Sequence, residues 1–520
     1  MDNLKQKTKK SIVWNAIEKV GVQLIALLVG LYVVRNVSET DMGFIGALTI
    51  FVSIGIGLVD LGFSTALIRR ESNTDEEYSA IFYVNLLISV VLYLVGYFCA
   101  PLISDWYSIP ELTDLARLLF LIVIINSLSL VQIVRHTKAL DFKYIAIANL
   151  VAVIVSGVVA ITLVHLGYSY WALAWQQISL RITKTFMLWV IKPWKGLKLN
   201  PRFGVVEELL DFSYLLIING IVSSVTTNFF TVTIGRVFPA SILGYYYTAD
   251  KYKNIARDVI TPTIAQVAMP VLTELKEDKA RQKQYYRKFM NVCALLIFPA
   301  LLGLAVVFDD FCVLVLTEKW LPIVPYFRML VVVALLDPFN GLANQILLVE
   351  GKTKQFFFSE FVRHTLLILS AYICFINLSE SHKAILEVYG GNAVINIMIA
   401  ASFVAWFVCL SLKIRFMNGI FKYSISEMIK DVAPYLIISV VMVLVVWQAK
   451  IYMDFSPLPR MMVSMVIGGI VYFIGLKFIK CDILEELSIL KRKRYKYERL
   501  DEAHVSAVDF CCEYVSVLQC

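Results

Sequence analysis

GRVFPASILGYYYTADKYKNIARD, running from Gly235 to Asp258, decides how this chain is read. Before it, an apolar run closes at Arg236. After it, a segment that is apolar overall carries Asp250, Lys251, Lys253, Arg257 and Asp258. Charges in such a setting are costly and by default mark a functional site that faces protein or water rather than lipid. The stretch also repeats an earlier one. Arg35, Met42, Gly43 and Phe44 match Arg236, Leu243, Gly244 and Tyr245 at one constant offset of 201 residues.

Composition sets the class. The 520 residues are 59% hydrophobic and only 17% charged, with a mean hydropathy of +0.73. A soluble chain has roughly 45–50% apolar and about 25% charged residues, so an all-α integral membrane protein is expected. The first apolar run follows MDNLKQKTKK directly, is long enough to span, and lacks a small-residue cleavage site, so no cleaved leader is expected. The nine cysteines suggest neither a zinc site nor a disulfide framework. None of the five histidines is spaced for a metal, and no cofactor is expected. Phosphate-binding glycine loops, nucleophile elbows and paired-carboxylate motifs are missing from the sequence, which argues against an enzyme and against nucleic-acid binding.

Fourteen spans of about 20 residues can be placed, starting near Ser11, Met42, Ala80, Leu115, Lys143, Ser169, Asp211, Ser241, Lys288, Leu321, Phe356, Lys383, Lys430 and Arg460. The basic residues test the count. With the N-terminus in the cytoplasm, 33 of the 48 Lys and Arg fall in inner segments, Lys413, Arg415, Lys422 and Lys430 among them, and 7 in outer ones. A miscounted span would erase that bias. Both termini are therefore expected inside the cytoplasmic membrane. The outer loops are short. The inner link from Leu272 to Lys288 reads as a surface helix. Spans one and seven run in the same direction, so the two copies are parallel. The expected organisation is an N-terminal six-helix bundle over residues 1–200, a second over 201–425, two additional helices over 426–480, and a basic cytoplasmic tail over 481–520 that sits against anionic lipid.

Charges within the spans carry the functional reading. Asn15, Lys19 and Gln23 share one helix face, and Asp250, Lys253, Asn254 and Arg257 form a stripe with Asp258 beside it. At about 1.5 Å of rise per residue, Glu18, Lys19, Asp60 and Arg257 share the cytoplasmic half of the membrane. A water-filled cavity between the halves, with cations that attract an anionic headgroup, accounts for them. The competing reading is neutral pairing, Lys19 with Asp60 and Arg257 with Asp250 or Asp258. Arg181, Lys184, Arg328, Asp337 and Arg363 are further intramembrane charges, and a helix break is expected at Asp337-Pro338.

Four stretches resemble a known family: VDLGFSTALIRR (Val59–Arg70), TIGRVFPASILGYYYTADKY (Thr233–Tyr252), LTEKWLPIVPYFRML (Leu316–Leu330) and NGLANQILLVEGKTK (Asn340–Lys354). Together with the layout of twelve helices plus two, they resemble the Wzx-type polysaccharide transporters of the MOP superfamily, which also holds the MATE exporters. The resemblance implies a MATE-like alternating-access fold with two bundles facing a central cavity. The implied substrate is an oligosaccharide on undecaprenyl diphosphate, and the implied driving force a proton or sodium gradient. Polysaccharide polymerase and chain-length proteins are implied partners alongside the membrane lipids. Lys19, Arg181, Lys253 and Arg257 would then meet the diphosphate, with Glu18, Asp60, Asp250 and Asp258 as coupling or charge-pair residues. The resemblance also implies an acidic residue shortly before the IGR stretch, but this chain reads NFFTVTIGR there. The alternatives are a MATE-type cation-coupled exporter of small molecules and a membrane polymerase or ligase.

Overall fold

The computed structural model describes residues 2–479 except 61, 62, 71, 140, 199, 200, 202 and 381. The side chains of Asn15 and Asp258 also lie outside the described set, as does the expected tail. The described residues form sixteen α-helices and no strand. The first group is α1 (Asp2–Asn36), α2 (Glu39–Asp60), the short α3 (Phe63–Arg69), α4 (Asp75–Tyr107), α5 (Leu112–Lys138), α6 (Phe142–His165) and α7 (Ser169–Ile191). The second is α8 (Gly204–Val237), α9 (Ala240–Glu274), α10 (Lys279–Phe311), α11 (Ile323–Ala334), α12 (Asp337–Val349), α13 (Thr353–Glu380) and α14 (His382–Phe421). Then follow α15 (Ile425–Ile451) and α16 (Pro457–Phe478).

Each expected span coincides with one long helix, except the tenth, which is the pair α11 and α12. The break falls at Leu335 and Leu336, just before Asp337, with Pro338 in the first turn of α12, where its missing N–H costs nothing. Nine stretches among the described residues are long and apolar enough to cross a membrane by length and composition. Those nine leave out α1, α7, α8, α9 and α13, and all of these except α7 contribute to the cavity described below. Helix starts follow local chemistry. Thr74 and Glu77 at α4, and Ser424 and Glu427 at α15, form reciprocal capping boxes. The surface helix expected at Leu272–Lys288 is not a separate element. Helices α9 and α10 both extend into it, and Asp278 caps α10 by accepting from the Arg281 backbone N–H at 3.0 Å. Its Glu, Lys, Arg and Gln residues favour helix and so prolong the flanking segments.

The sequence repeat is also a repeat of helix boundaries. Helix α1 ends at Asn36 and α8 at Val237, while α2 begins at Glu39 and α9 at Ala240. Both pairs carry the same 201-residue offset. The two repeats touch where α2 and α9 cross. A Cβ on Gly43 would lie 2.0 Å from the Ala240 carbonyl oxygen, and one on Gly244 would lie 1.7 Å from that of Glu39. The contact is self-complementary, because each glycine meets the first residue of the other repeat's helix. Any side chain there would strike backbone, which cannot give way as a flexible side chain can.

The arginines that flagged the repeat reach across the same seam. Arg35 at the end of α1 donates from Nε and Nη2 to the carbonyls of Val315 and Leu314, in a π-helical turn (Cys312–Leu316) that follows α10. Arg236, its counterpart, stacks at 5.3 Å over Trp106 at the end of α4. The last carbonyls of α1 have no partner inside the helix. Lys319 Nζ supplies one to Arg35 and Val37, both at 2.9 Å, and Trp320 Nε1 supplies one to Val34 at 3.0 Å. A cation there also suits the negative end of the helix dipole. The KW pair of the quoted LTEKWLP stretch thus caps a helix of the other half.

Helices α15 and α16 are bound to α10 by ion pairs at both ends. Lys283 pairs with Glu427 at 2.8 Å and Arg287 with Asp431 at 2.6 Å. At the other end, Lys450 and Arg460 both grip Asp310, which is fully buried.

Substituting Gly43 or Gly244 by Val is expected to hold the crossing apart. In a variant without the native cysteines, a cysteine at Thr49, just below the crossing, should then react several-fold faster with a polar maleimide. The double substitution should add little to either single one, since both disrupt one contact.

Candidate functional site

Below the crossing, the halves enclose a cavity of about 540 Å³. Helix α1 lines it with Gln23, Ala26, Leu27 and Gly30, and α2 with Thr49. Helix α8 adds Thr226, Asn228, Phe230 and Thr231, and α9 the run from Tyr246 to Arg257 except Thr248, Ala249 and Ala256. Asp337, Arg363, Ser402 and Trp406 close the second-half side. Among the described residues, four cations (Lys251, Lys253, Arg257 and Arg363) and two carboxylates (Asp250 and Asp337) face this space, so the described lining is net positive. A charged residue at the middle of a membrane helix costs about 3 kcal/mol by insertion scales. A shared polar cavity lowers that cost.

The α9 stripe is present, with partners only partly as expected. Asp250 accepts from Lys253 Nζ at 2.6 Å and from Asn254 Nδ2 at 3.0 Å. Arg257 pairs with Asp337 at 3.3 Å rather than with Asp250. The break before α12 explains this, because it places Asp337 in the first turn of a new helix, where a carboxylate is favoured.

Lys251 went unassigned by the stripe argument, since it sits one position off the periodic face. It nonetheless lines the cavity, with its ammonium about 3.9 Å from where a Cβ on Gly30 of α1 would lie. Among the described residues it has no carboxylate within ion-pair distance. The usable signal was the Tyr247–Lys251 spacing of four, which puts the lysine on the face that meets the first half.

A second cluster was not read from the sequence beyond Arg363. Glu360 accepts from Arg363 at 2.6 Å and from Lys413 at 2.7 Å, and Lys413 also donates to Asn340 at 3.2 Å. Arg363 stacks 4.3 Å over Trp406, and His364 bonds Thr226 of α8. Lys413, counted among the inner-loop cations, is fully buried in α14. The boundary drawn from hydropathy stopped short because the lysine itself ended the apolar run. The i, i+3 spacing of Glu360 and Arg363 was the available clue.

The first-half candidates lie elsewhere. Glu18 accepts from Asn149 of α6, and lies near enough to Lys184 to interact electrostatically, as does Arg181. Asp60 accepts from the Ser64 backbone N–H at 3.0 Å, tying α2 to α3. Lys19 and Arg181 have no ion pair among the described residues and do not line the cavity, and no Lys19–Asp60 pair forms. Among the described residues no cluster of His, Cys, Asp or Glu has the makings of a metal site.

A repeated helical bundle that encloses a polar, cationic cavity at the seam between its halves is the architecture of a membrane transporter. Residues 32–325 match the family model described as polysaccharide biosynthesis protein. The chain belongs to that family. It is 26% identical to the teichuronic acid biosynthesis protein TuaB of Bacillus subtilis, over 71% of this chain and 76% of that one. It is 24% identical to the lipopolysaccharide biosynthesis protein WzxC of Escherichia coli, over 67% and 71%. Among solved structures it is similar to the lipid II flippase MurJ, with a TM-score of 0.70 at 16% identity, covering 91% of this chain and all of that one. The fold is shared, and the resemblance to Wzx-type transporters holds.

Glu360→Ala is expected to cost about 3–5 kcal/mol, because it leaves Lys413 and Arg363 buried without a counter-charge. Unfolding in detergent measures this. Adding Lys413→Met should recover much of the loss; if it recovers none, the pair is not the source of the stability.

Proposed function

We propose that this protein moves a polyprenyl-diphosphate-linked oligosaccharide across the cytoplasmic membrane by alternating access, in cell-surface polysaccharide biosynthesis. The observation that carries the reading is Lys251, an ammonium with no carboxylate partner among the described residues, in a cavity whose described lining is net positive, at the seam of the two halves. A diphosphate is the part of such a substrate that needs cations in a low-dielectric setting, where charge-assisted hydrogen bonds are strongest. Lys253 and Arg257 are positioned to add to it, each now held by a carboxylate that a diphosphate would compete with. A space of about 540 Å³ suits a diphosphate with its first sugar, and a longer glycan requires the halves to part.

In this reading the chain crosses the bilayer fourteen times with both termini in the cytoplasm. Residues 1–200 and 201–425 form the two moving bundles, 426–480 stays with the second, and 481–520 lies on the inner leaflet. The 201-residue offset of helix boundaries supports that division. The crossing of Gly43 and Gly244 is then the outer gate, closed here. Glu18 and Asp60 keep a place as candidate coupling groups for a proton or sodium ion, alongside Lys19 and Arg181 as residues met in another state of the cycle. Asp258 is proposed on sequence alone. A cation exporter would need a cavity dominated by free acids, whereas both lining carboxylates are paired here.

Lys251→Glu as the only copy in the cell should abolish surface polysaccharide while the protein still inserts at normal levels, and the lipid-linked intermediate should accumulate. Lys251→Arg should retain export. Normal polysaccharide with Lys251→Glu would overturn the cavity assignment. Hypersensitivity to cationic drugs without loss of polysaccharide, on deletion, would favour an exporter.

A further inference from the structure

A second concavity lies in the first half, apart from the central cavity. It has a volume of about 320 Å³ and sits where the start of α4 meets the ends of α5 and α7. Arg135, His136, Lys138 and Gln132 of α5 line it, with Tyr78 of α4 and Lys192 just beyond α7. Among the described residues no acidic side chain is part of its lining.

The acids around it are engaged. Glu77 pairs with Arg70 at 3.5 Å, Asp75 accepts from Trp194 Nε1 at 3.0 Å, and Asp141 holds Lys192 at 2.7 Å from the rim. Arg135 has no ion pair among the described residues. It is held flat instead, 4.9 Å over Trp194 and 5.8 Å from Tyr78, which leaves its edge for hydrogen bonding. Its Nη1 lies 3.4 Å from Gln132 Oε1. Gln132 is 1% exposed, and its Nε2 has no partner among the described residues. A buried donor left unmade costs about 1–3 kcal/mol.

We propose that this pocket binds a phosphate group. Arg135 supplies a planar fork, and Lys138 and Lys192 supply point charges. Tyr144, Trp189 and Trp194 cluster at the same level. Such aromatic and basic residues mark the depth of lipid headgroups, and basic pockets between helices at that depth hold anionic headgroups. The phosphate is therefore either that of an anionic phospholipid or a free phosphate from the aqueous side.

The test uses the full-length protein in phosphatidylcholine nanodiscs containing a fraction of phosphatidylglycerol, with bound lipid read by native mass spectrometry. Wild type should retain phosphatidylglycerol over phosphatidylcholine, and Arg135→Gln should lose that preference several-fold. Lys192→Gln, on the exposed rim, is the second variant should Arg135→Gln fail to fold. If millimolar inorganic phosphate protects the wild type thermally and Arg135→Gln not at all, with no lipid preference, the source is free phosphate. Equal lipid retention and no phosphate protection in wild type, or the same behaviour in wild type and both variants, overturns the proposal. Export assays are not the readout, so a failure here is separate from any failure of the flippase reading.

Discussion

The close approach of α2 and α9 is the constraint on which the rest of this molecule depends. Two glycines, Gly43 and Gly244, each let one helix lie against the opening backbone of the other. Because the contact is self-complementary, it fixes the axis that relates the two halves. The repeat's two arginines follow the same axis. Arg35 and Arg236 each reach to the end of the third long helix of the opposite half, one to carbonyls of a π-helical turn and the other to an indole face. The helix boundaries repeat at one offset while the side chains at the seam differ, as expected of two copies that have kept one seam while diverging elsewhere.

Below the seam the copies have diverged in charge. The second half supplies the charged lining of the cavity through α9, α12 and α13, while α1 and α2 contribute glutamine, threonine, glycine and apolar residues. Most of these charges are satisfied in pairs, Lys253 with Asp250 and Arg257 with Asp337. Behind them Glu360 bridges Arg363 and Lys413. Such pairs offset the penalty of burial more than they add stability. Among the described residues Lys251 is the one lining cation with no carboxylate within ion-pair distance, and the proposed substrate contact is placed on it for that reason.

The repeat and the helices were legible in the sequence because they rest on local and periodic signals. A fixed offset, apolar runs and the bias of Lys and Arg need no knowledge of packing. Ion-pair partners were not legible. Arg257 joins Asp337, 80 residues away, because a helix break turns that carboxylate toward α9, and nothing in the α9 sequence announces it. Lys413 was misread as a loop residue because hydropathy treats a buried, paired lysine like a solvated one. Lys251 was passed over because helical periodicity ranks faces, while a long lysine stem reaches past its own face.

The capping of α1 has a consequence in time rather than in space. Its final carbonyls are satisfied by Lys319, 284 residues downstream of Arg35, so the first helix waits for its closing partner until well over half the chain has been made. Domains generally form as units during synthesis, N-terminal part first, but here the first bundle cannot finish its own edge. The cap that closes α1 thus forms only after the start of the second half has been made. Until the KW pair arrives, the nascent first half presents exposed backbone at one membrane face.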